Sequence, residues 1–501
     1  MACSTYRVSS TESIPAQVVQ LQVLLGAALE RIGQLLKRLG QLKKRNAQLE
    51  EENAQLRERL GQNSTNSSKP PSEDPPGTVR LHKKKKKRRG RRPGGQPGHP
   101  KHERVLVPAE QVQRVVEVLP ERCKKCQRKL SGQDATPERH QVVELPPVAA
   151  QVTEYRCHQL ECADCGTLTR AEVPLEAAST FGERLGGLVC LLVGKYRLSK
   201  RLVTEALSDI VGVKLSVGSV ANLEQEMSAA LQAPMAEAEQ YVRQADVVNA
   251  DETGWKEGVK AGRAARAWLW VFATLLVVVF RIAPRRGSQV PKQVLGEGFT
   301  GFLISDRWAA YGWYDSGLRQ LCWSHLTRDF QSFIDRGGVG GRIGSELMAE
   351  RHRMFKWWHR VGNGTLERRV FQRRMRKVEK RVGELLREAA AHAEKKTAGM
   401  AKEILKLEKC LWVFVDVPGV EPTNNYGERT LRQGVIYRKI SFGTRSAQGS
   451  RFIERILTVV TTLKQQKRNA LEFLREALWA HRRGQSPPSL LPVSELAPGA
   501  A

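Results

Sequence analysis

The feature that most constrains this chain is a heptad pattern held without a slip from Val18 to Leu60. One series runs Val18, Leu25, Ile32, Leu39, Asn46, Asn53, Leu60, and the other Leu21, Ala28, Leu35, Leu42, Leu49, Leu56. A seam recurring every 3.5 residues suits one helix wound on another, so residues 15–60 are expected to form a coiled coil. Pro15 fits the first helical turn and Gly61 the stop. The two asparagines on the seam would set register and favour a parallel dimer. Self-association is therefore the expectation, and packing on the chain's own domain the alternative.

Residues 61–104 read as a basic linker. Residues 61–100 hold seven Pro and six Gly, a composition that stays extended and buries no core. The chain carries 82 Lys and Arg against 52 Asp and Glu, a net charge of +30. Of this, +10 lies in Leu81–Arg104, around the run Lys83–Arg89, and +11 in Arg351–Lys409, which reads as helix with cations around an apolar stripe. Such concentrations suit a polyanion, nucleic acid or an anionic membrane face, with salt-dependent binding. A plain solvated surface is the alternative for both. The longest apolar run, Ala267–Phe280, has 14 residues, too short to span a bilayer. The N-terminus, with Glu12 and no basic stretch, does not read as a secretory signal. No membrane partner is expected, and the location is expected to be cytoplasmic.

At roughly 150 residues per domain, 501 residues suggest two to four domains. Nine cysteines, partly clustered in a chain without an export signal, read as metal ligands or thiols rather than disulfides. Cys123-x-x-Cys126 and Cys162-x-x-Cys165 are two knuckles 35 residues apart. Each places two thiolates on one tight turn, and together they would complete a tetrahedral, structural Zn²⁺ site in a module of residues 105–175. Cys157 and His158 are spare ligands nearby, and unmetallated thiols are the alternative.

Residues 181–243 read as helical. Ser199–Ile210, a turn at Gly212, and Ser216–Met227 have helix-turn-helix spacing. From Asp246 the texture becomes α/β. Val247–Asp251 reads as a short strand ending in a carboxylate, Ala267–Phe272 and Leu275–Ile282 as two more, and Gly301–Asp306 as another ending in a carboxylate. Leu318–Cys322 is a candidate fifth strand. Carboxylates at strand ends, Asp251 and Asp306, can share divalent cations. The third acid such a site needs has a plausible source in Glu428, on a helix where Asn425, Glu428 and Arg432 share one face. Gln485–Ala501 reads as a Pro/Ser/Ala tail with little to fold.

Asn63–Asp74, the cysteine module, Asp251-Glu252-Thr253, Cys322-Trp323-Ser324-His325-Leu326 and Asn424–Arg432, taken in order over about 450 residues, resemble one family of bacterial insertion-sequence transposases, the sixty-six family. The resemblance implies an α/β fold: a ribonuclease H-like mixed-sheet DDE core at 246–478 with a helical insertion at about 340–410. Before it would come the coiled coil, the zinc module and the helix-turn-helix region at 181–243. It implies that Asp251, Asp306 and Glu428 are the catalytic acids and hold Mg²⁺ or Mn²⁺, and that Cys123, Cys126, Cys162 and Cys165 belong to a zinc-binding module. It also implies DNA as partner (element ends and target), metal-dependent strand cleavage and transfer, a nucleoid-associated location and accessory proteins from the same element. Cys322 and His325 match a C-x-x-H element, with active-site packing as the other reading. Gln127, Arg307-Trp308 and Gly427 depart from the family pattern, where Gly, Gly-Tyr and Ala are common. The alternative function is a DNA-binding architectural or regulatory protein with an inactive core.

Overall fold

A computed structural model describes residues 14–67, 74, 99, 105–260, 263–392 and 394–491. Cys3, most of the linker with its run Lys83–Arg89, and residues 492–501 lie outside them. The chain divides into two units: residues 1–80, 325–368 and 376–405 form the first, and residues 81–324, 369–375 and 406–501 the second.

The helices are α1 (Ile14–Gly61), α2 (Glu183–Gly194), α3 (Lys200–Val211), α4 (Val217–Ala230), α5 (Gln232–Gln244), α6 (Gln289–Leu295), α7 (Trp323–Arg336), α8 (Gly338–Gly362), α9 (Arg368–Ala390), α10 (Lys395–Leu405), α11 (Val413–Asp416), α12 (Asn425–Ser441), α13 (Ala447–Gln465) and α14 (Ala470–Arg482). The strands are β1 (Gln159–Glu161), β2 (Leu168–Arg170), β3 (Val247–Lys260), β4 (Arg263–Ala273), β5 (Val278–Ala283), β6 (Phe302–Ser305) and β7 (Arg319–Leu321).

In the first unit, α1 is one helix over the whole heptad stretch, and its seam residues, such as Leu42, are exposed. Near its C-terminus Glu58 pairs with Arg336, at 3.5 Å, and with Lys396. The following turn is tied down locally: Asn63 Oδ1 accepts from the Thr65 amide, and Ser64 donates its N–H and hydroxyl to the two Asp74 oxygens at 2.6 and 2.7 Å. Asn66 Nδ2 donates to Asp335 Oδ2 at the end of α7. In α9, Val378, Val382, Leu385 and Ala389 are buried at helical spacing while Arg376, Lys377 and Lys380 stay exposed, so this part of the basic stretch is an amphipathic helix.

The second unit holds a mixed five-stranded sheet in the order β5-β4-β3-β6-β7. The β3–β4 and β4–β5 pairs are antiparallel, while β6 and β7 run parallel to β3. The turn between β4 and β5, which lacks a Gly or Asn signal, is built on Thr274, whose hydroxyl accepts from the Leu276 and Val277 amides. The outer edge of β5 is covered by α13. Thr462, Thr458 and Glu454, one helical turn apart, accept the backbone N–H groups of Val278, Phe280 and Ile282 at 3.0, 2.9 and 2.6 Å. Side chains thus take the place of a sixth strand and close an edge that would otherwise invite pairing. On the sheet's β4, α12 approaches through Gly434, where a Cβ would fall 2.1 Å from Leu269 Cδ2.

Helices α3 and α4 have Ser199 and Ser216 as N-caps, each accepting an amide of its own first turn. Gly212 ends α3 at φ +68°, a left-handed conformation that glycine takes without a Cβ penalty. Two readings are revised. β3 does not end at Asp251 but runs on to Lys260, carried by its pairing with β4. Gln485–Leu491 is not a loose tail: Leu490 is buried, and Glu237 accepts from its amide and from the Ser489 hydroxyl, both at 2.6 Å.

Candidate active site

Asp251 lies in β3 and Asp306 directly follows β6. The two strands pair in parallel, Val247 opposite Phe302 and Asn249 opposite Ile304. The pairing ends there, so Asp251 and Asp306 each lie two residues beyond the last paired residues, at the same end of the two strands. Asp251 therefore stands where its parallel neighbour ends, although its own strand continues. Each carboxylate is held by a nearby amide: Asp251 Oδ1 accepts from Glu252 N–H and Asp306 Oδ1 from Trp308 N–H, at 2.9 and 2.8 Å.

Glu428 is in the first turn of α12, where the positive end of the helix dipole favours a carboxylate. Asn424, fully buried at the helix start, joins this helix to β3. Its Nδ2 donates to Ala250 C=O at 2.7 Å, and its Oδ1 accepts from Asn249 Nδ2 at 3.0 Å. Its backbone N–H points to Cys322 Sγ at 3.1 Å, and that sulfur lies 4.0 Å from Glu428 Oε1. Cys322 N–H in turn donates to Ser305 C=O, next to Asp306. One buried amide and one buried thiol thus brace the surroundings of all three acids. Among the described residues the three carboxylates do not close to within 4.8 Å of one another.

Around the aspartates lies a network that sequence reasoning missed. Burial first, and then the Asp306 charge, push the buried Glu252 carboxyl above its ordinary value, against the pull of Tyr311 and Arg286. Tyr311 donates to Glu252 Oε2 at 2.6 Å. The Tyr311 hydroxyl is itself driven well above its usual range by burial and by the charges of Glu252, Asp306 and Asp251. Arg286 pairs with Glu252 and lies over two indoles, 3.9 Å from the Trp308 ring centre and 4.8 Å from that of Trp268. Buried Arg319 donates to Ser305 Oγ at 3.1 Å and to Asp306 C=O at 2.7 Å, so it anchors the turn that carries the second aspartate. Glu252 had a signal in its place beside Asp251. Arg286 and Arg319 had none, because each is remote in sequence from what it holds.

Gly427 has a local reason. A Cβ there would meet Asn424 Oδ1 at 2.7 Å, so the glycine leaves room for the amide that joins α12 to β3.

The cysteine knuckles have matching geometry. Cys123 N–H donates to Arg128 C=O and Gln127 N–H to Cys123 C=O, both at 2.9 Å. Cys162 N–H donates to Thr167 C=O at 3.0 Å and Gly166 N–H to Cys162 C=O at 2.9 Å. Gln127, at φ +60°, occupies the left-handed place that Gly166 fills at +69°. Backbone amides of Cys126 and Lys125, and the Cys126 thiol, lower the Cys123 pKa, and Thr167 and then Cys162 lower that of Cys165. Hydrogen-bonded, acidified thiols suit a thiolate-binding cation. Among the described residues no three of these four sulfurs converge within 4.8 Å.

The sheet and its carboxylates put the chain in the mixed α/β class, with acidic groups gathered beside parallel strands. Residues 188–451, just over half of the chain, match the family model described as Transposase IS66 family, and the chain belongs to that family. Residues 10–105 match a model for a family of unknown function. The chain is also similar to the uncharacterized protein y4qI of Sinorhizobium fredii, 24% identical over 264 residues, which cover 47% of this chain and 48% of the relative. The chain thus spans about half the length of the curated relative it matches. Among the described residues no helix is long and apolar enough to cross a membrane.

Proposed function

We propose that this chain is a DDE-type transposase that binds the ends of its mobile element and cleaves and joins DNA strands. The reading is carried by Asp251 and Asp306 following the last paired residues of two neighbouring parallel strands, with Asn424 joining the helix of Glu428 to the first of them. The sheet order, third-second-first-fourth-fifth with only the last two strands parallel to the first, supports a ribonuclease H-like core.

Asp251, Asp306 and Glu428 are hard oxygen donors and fit Mg²⁺ or Mn²⁺. When bound, such ions activate the attacking oxygen and stabilise the leaving oxygen of an in-line phosphoryl transfer. The chain's own residues supply the frame. Asn424 and Cys322 hold Glu428 against β3, Arg319 anchors the Asp306 turn, and Arg429 and Arg432 on exposed turns of α12 face the DNA phosphates. Water would first attack at the element end, and the freed 3′ hydroxyl would then attack the target strand by the same displacement.

The remaining parts follow from the same reading. The four knuckle cysteines fit a structural Zn²⁺, α3 and α4 read the element end, and the linker and insertion hold DNA by charge. The α1 seam pairs two copies so that two ends meet. The protein is nucleoid-associated and works with accessory proteins of its element.

The test is incubation of the full chain with element-end DNA and Mg²⁺ or Mn²⁺. The wild type is expected to nick and join, and Asp251→Ala, Asp306→Ala and Glu428→Gln to lose at least about 10³-fold in rate, as when the electrostatic centre of a phosphoryl-transfer site is removed. Unchanged activity in Asp251→Ala would overturn the assignment.

A further inference from the structure

A cavity of about 480 Å³ lies in the second unit between α12, α13 and the turn after α2. Four cations line it, Lys195, Arg197, Arg429 and Lys464, and among the described residues no carboxylate does. Two buried polar atoms beside it have no hydrogen-bond partner, Arg197 Nε and Gln465 Oε1. Both residues line the cavity, and polar atoms left without a partner are uncommon in a folded interior. Arg197 is also held at φ +64°, a strained backbone for a residue with a side chain, and its guanidinium is tied to Gln433 of α12. Tyr196, half exposed on the rim, offers an aromatic surface next to Lys195.

Positive charge, an aromatic ring and the amide side chains of Gln433 and Gln465 together match the chemistry of a nucleotide: a phosphate, a base face and base edges. On α12 the cavity takes Tyr426, Arg429, Thr430 and Gln433, whereas Glu428 lies on a different side of the same helix. The helix is about 10 Å across, a distance covered by roughly three nucleotides of a strand at 3.4 Å each.

We propose that this cavity takes one nucleotide splayed out of a single DNA strand that continues to the acidic site, its two flanking phosphates on Arg197 and Lys464, one each, and its base against Tyr196. The proposal rests on the reading of the chain as a transposase, and it names the DNA feature engaged beside the cut: an unpaired nucleotide. A duplex keeps its bases stacked and cannot fill the cavity without extruding one.

The experiment measures binding in the full chain carrying Asp251→Ala, so that it is independent of whether strand transfer occurs. The probes are a labelled single-stranded oligonucleotide, the duplex of the same sequence, and dAMP as competitor, titrated over a range of salt. Arg197→Gln with Lys464→Gln is expected to lower the slope of log affinity against log salt for the single strand by about 1.4, or 0.7 for each phosphate no longer neutralised, while duplex affinity changes by less than about twofold. Lys464→Gln alone, at an exposed site that should not disturb folding, is expected to lower it by about 0.7. Tyr196→Ala should weaken single-strand binding about tenfold. Slopes unchanged in both the single and double variants, or equal losses on duplex and single strand, would overturn the proposal. Competition by dAMP as strong as that of the strand would overturn it too, by assigning the cavity to a free nucleotide.

Discussion

Asn424 shows how much of the site hangs on one side chain. It satisfies Ala250 C=O and Asn249 Nδ2 at once, in a fully buried place between strand and helix. Asn424→Ala leaves both groups without that partner and is expected to cost about 1–3 kcal/mol in a urea titration. Strand transfer should fall with it, because Glu428 loses its tether to β3. Gln127 makes an opposite case. Its left-handed backbone costs a residue with a Cβ about 1 kcal/mol. Gln127→Gly is expected to stabilise the first knuckle by up to about that much, read as slower exchange of the Leu130 and Cys123 amides in the intact chain.

At the level of elements, the packing of α13 on β5 sets the strength of the sheet's edge. Glu454 is nearly fully buried and accepts from Ile282 N–H. Burial pushes its carboxyl above the ordinary value, although Ile282, Arg281 and Arg451 pull it back. A carboxyl raised in the fold contributes stability that is fully present below its unfolded pKa of about 4.5 and lost as the pH rises through the raised folded value. Glu454→Gln keeps an acceptor for Ile282 and does not ionise. Its stability relative to wild type is therefore expected to rise from pH 4.5 towards neutrality, measured as the difference in urea midpoints; a flat difference would refute the role given to ionisation. The strands themselves were legible in the sequence as short apolar runs, because a buried strand must be apolar on both faces. The continuation of β3 past Asp251 was not, since Glu252–Lys260 is polar and is strand only through its partner β4.

For the whole molecule, the exposed seam of α1 is the feature with most consequence. Leu42 is 60% exposed and its neighbours on the seam are similar, so one chain leaves a long apolar stripe in water. Leu35→Asp with Leu42→Asp is expected to turn a dimer into a monomer in light scattering at micromolar concentration and to abolish joining of two element ends, while binding of a single end persists. A monomeric wild type under those conditions would refute pairing through α1.

The sequence by itself determined the elements and their chemical types: the heptad helix, the capped pair α3 and α4, the paired cysteine turns and the three acids. Each is a local pattern of spacing, capping or composition, and local patterns survive in a one-dimensional string. The tertiary structure alone decided which groups meet. It brought the strands before Asp251 and Asp306 side by side through the pairing of β3 and β6, bound α12 to β3 through Asn424, placed Arg286 on Glu252, and closed the edge of β5 with side chains of α13. The reason is physical: which residues remote in sequence come together follows from packing and hydrogen-bond satisfaction over the whole core, and no short stretch of chain contains that information.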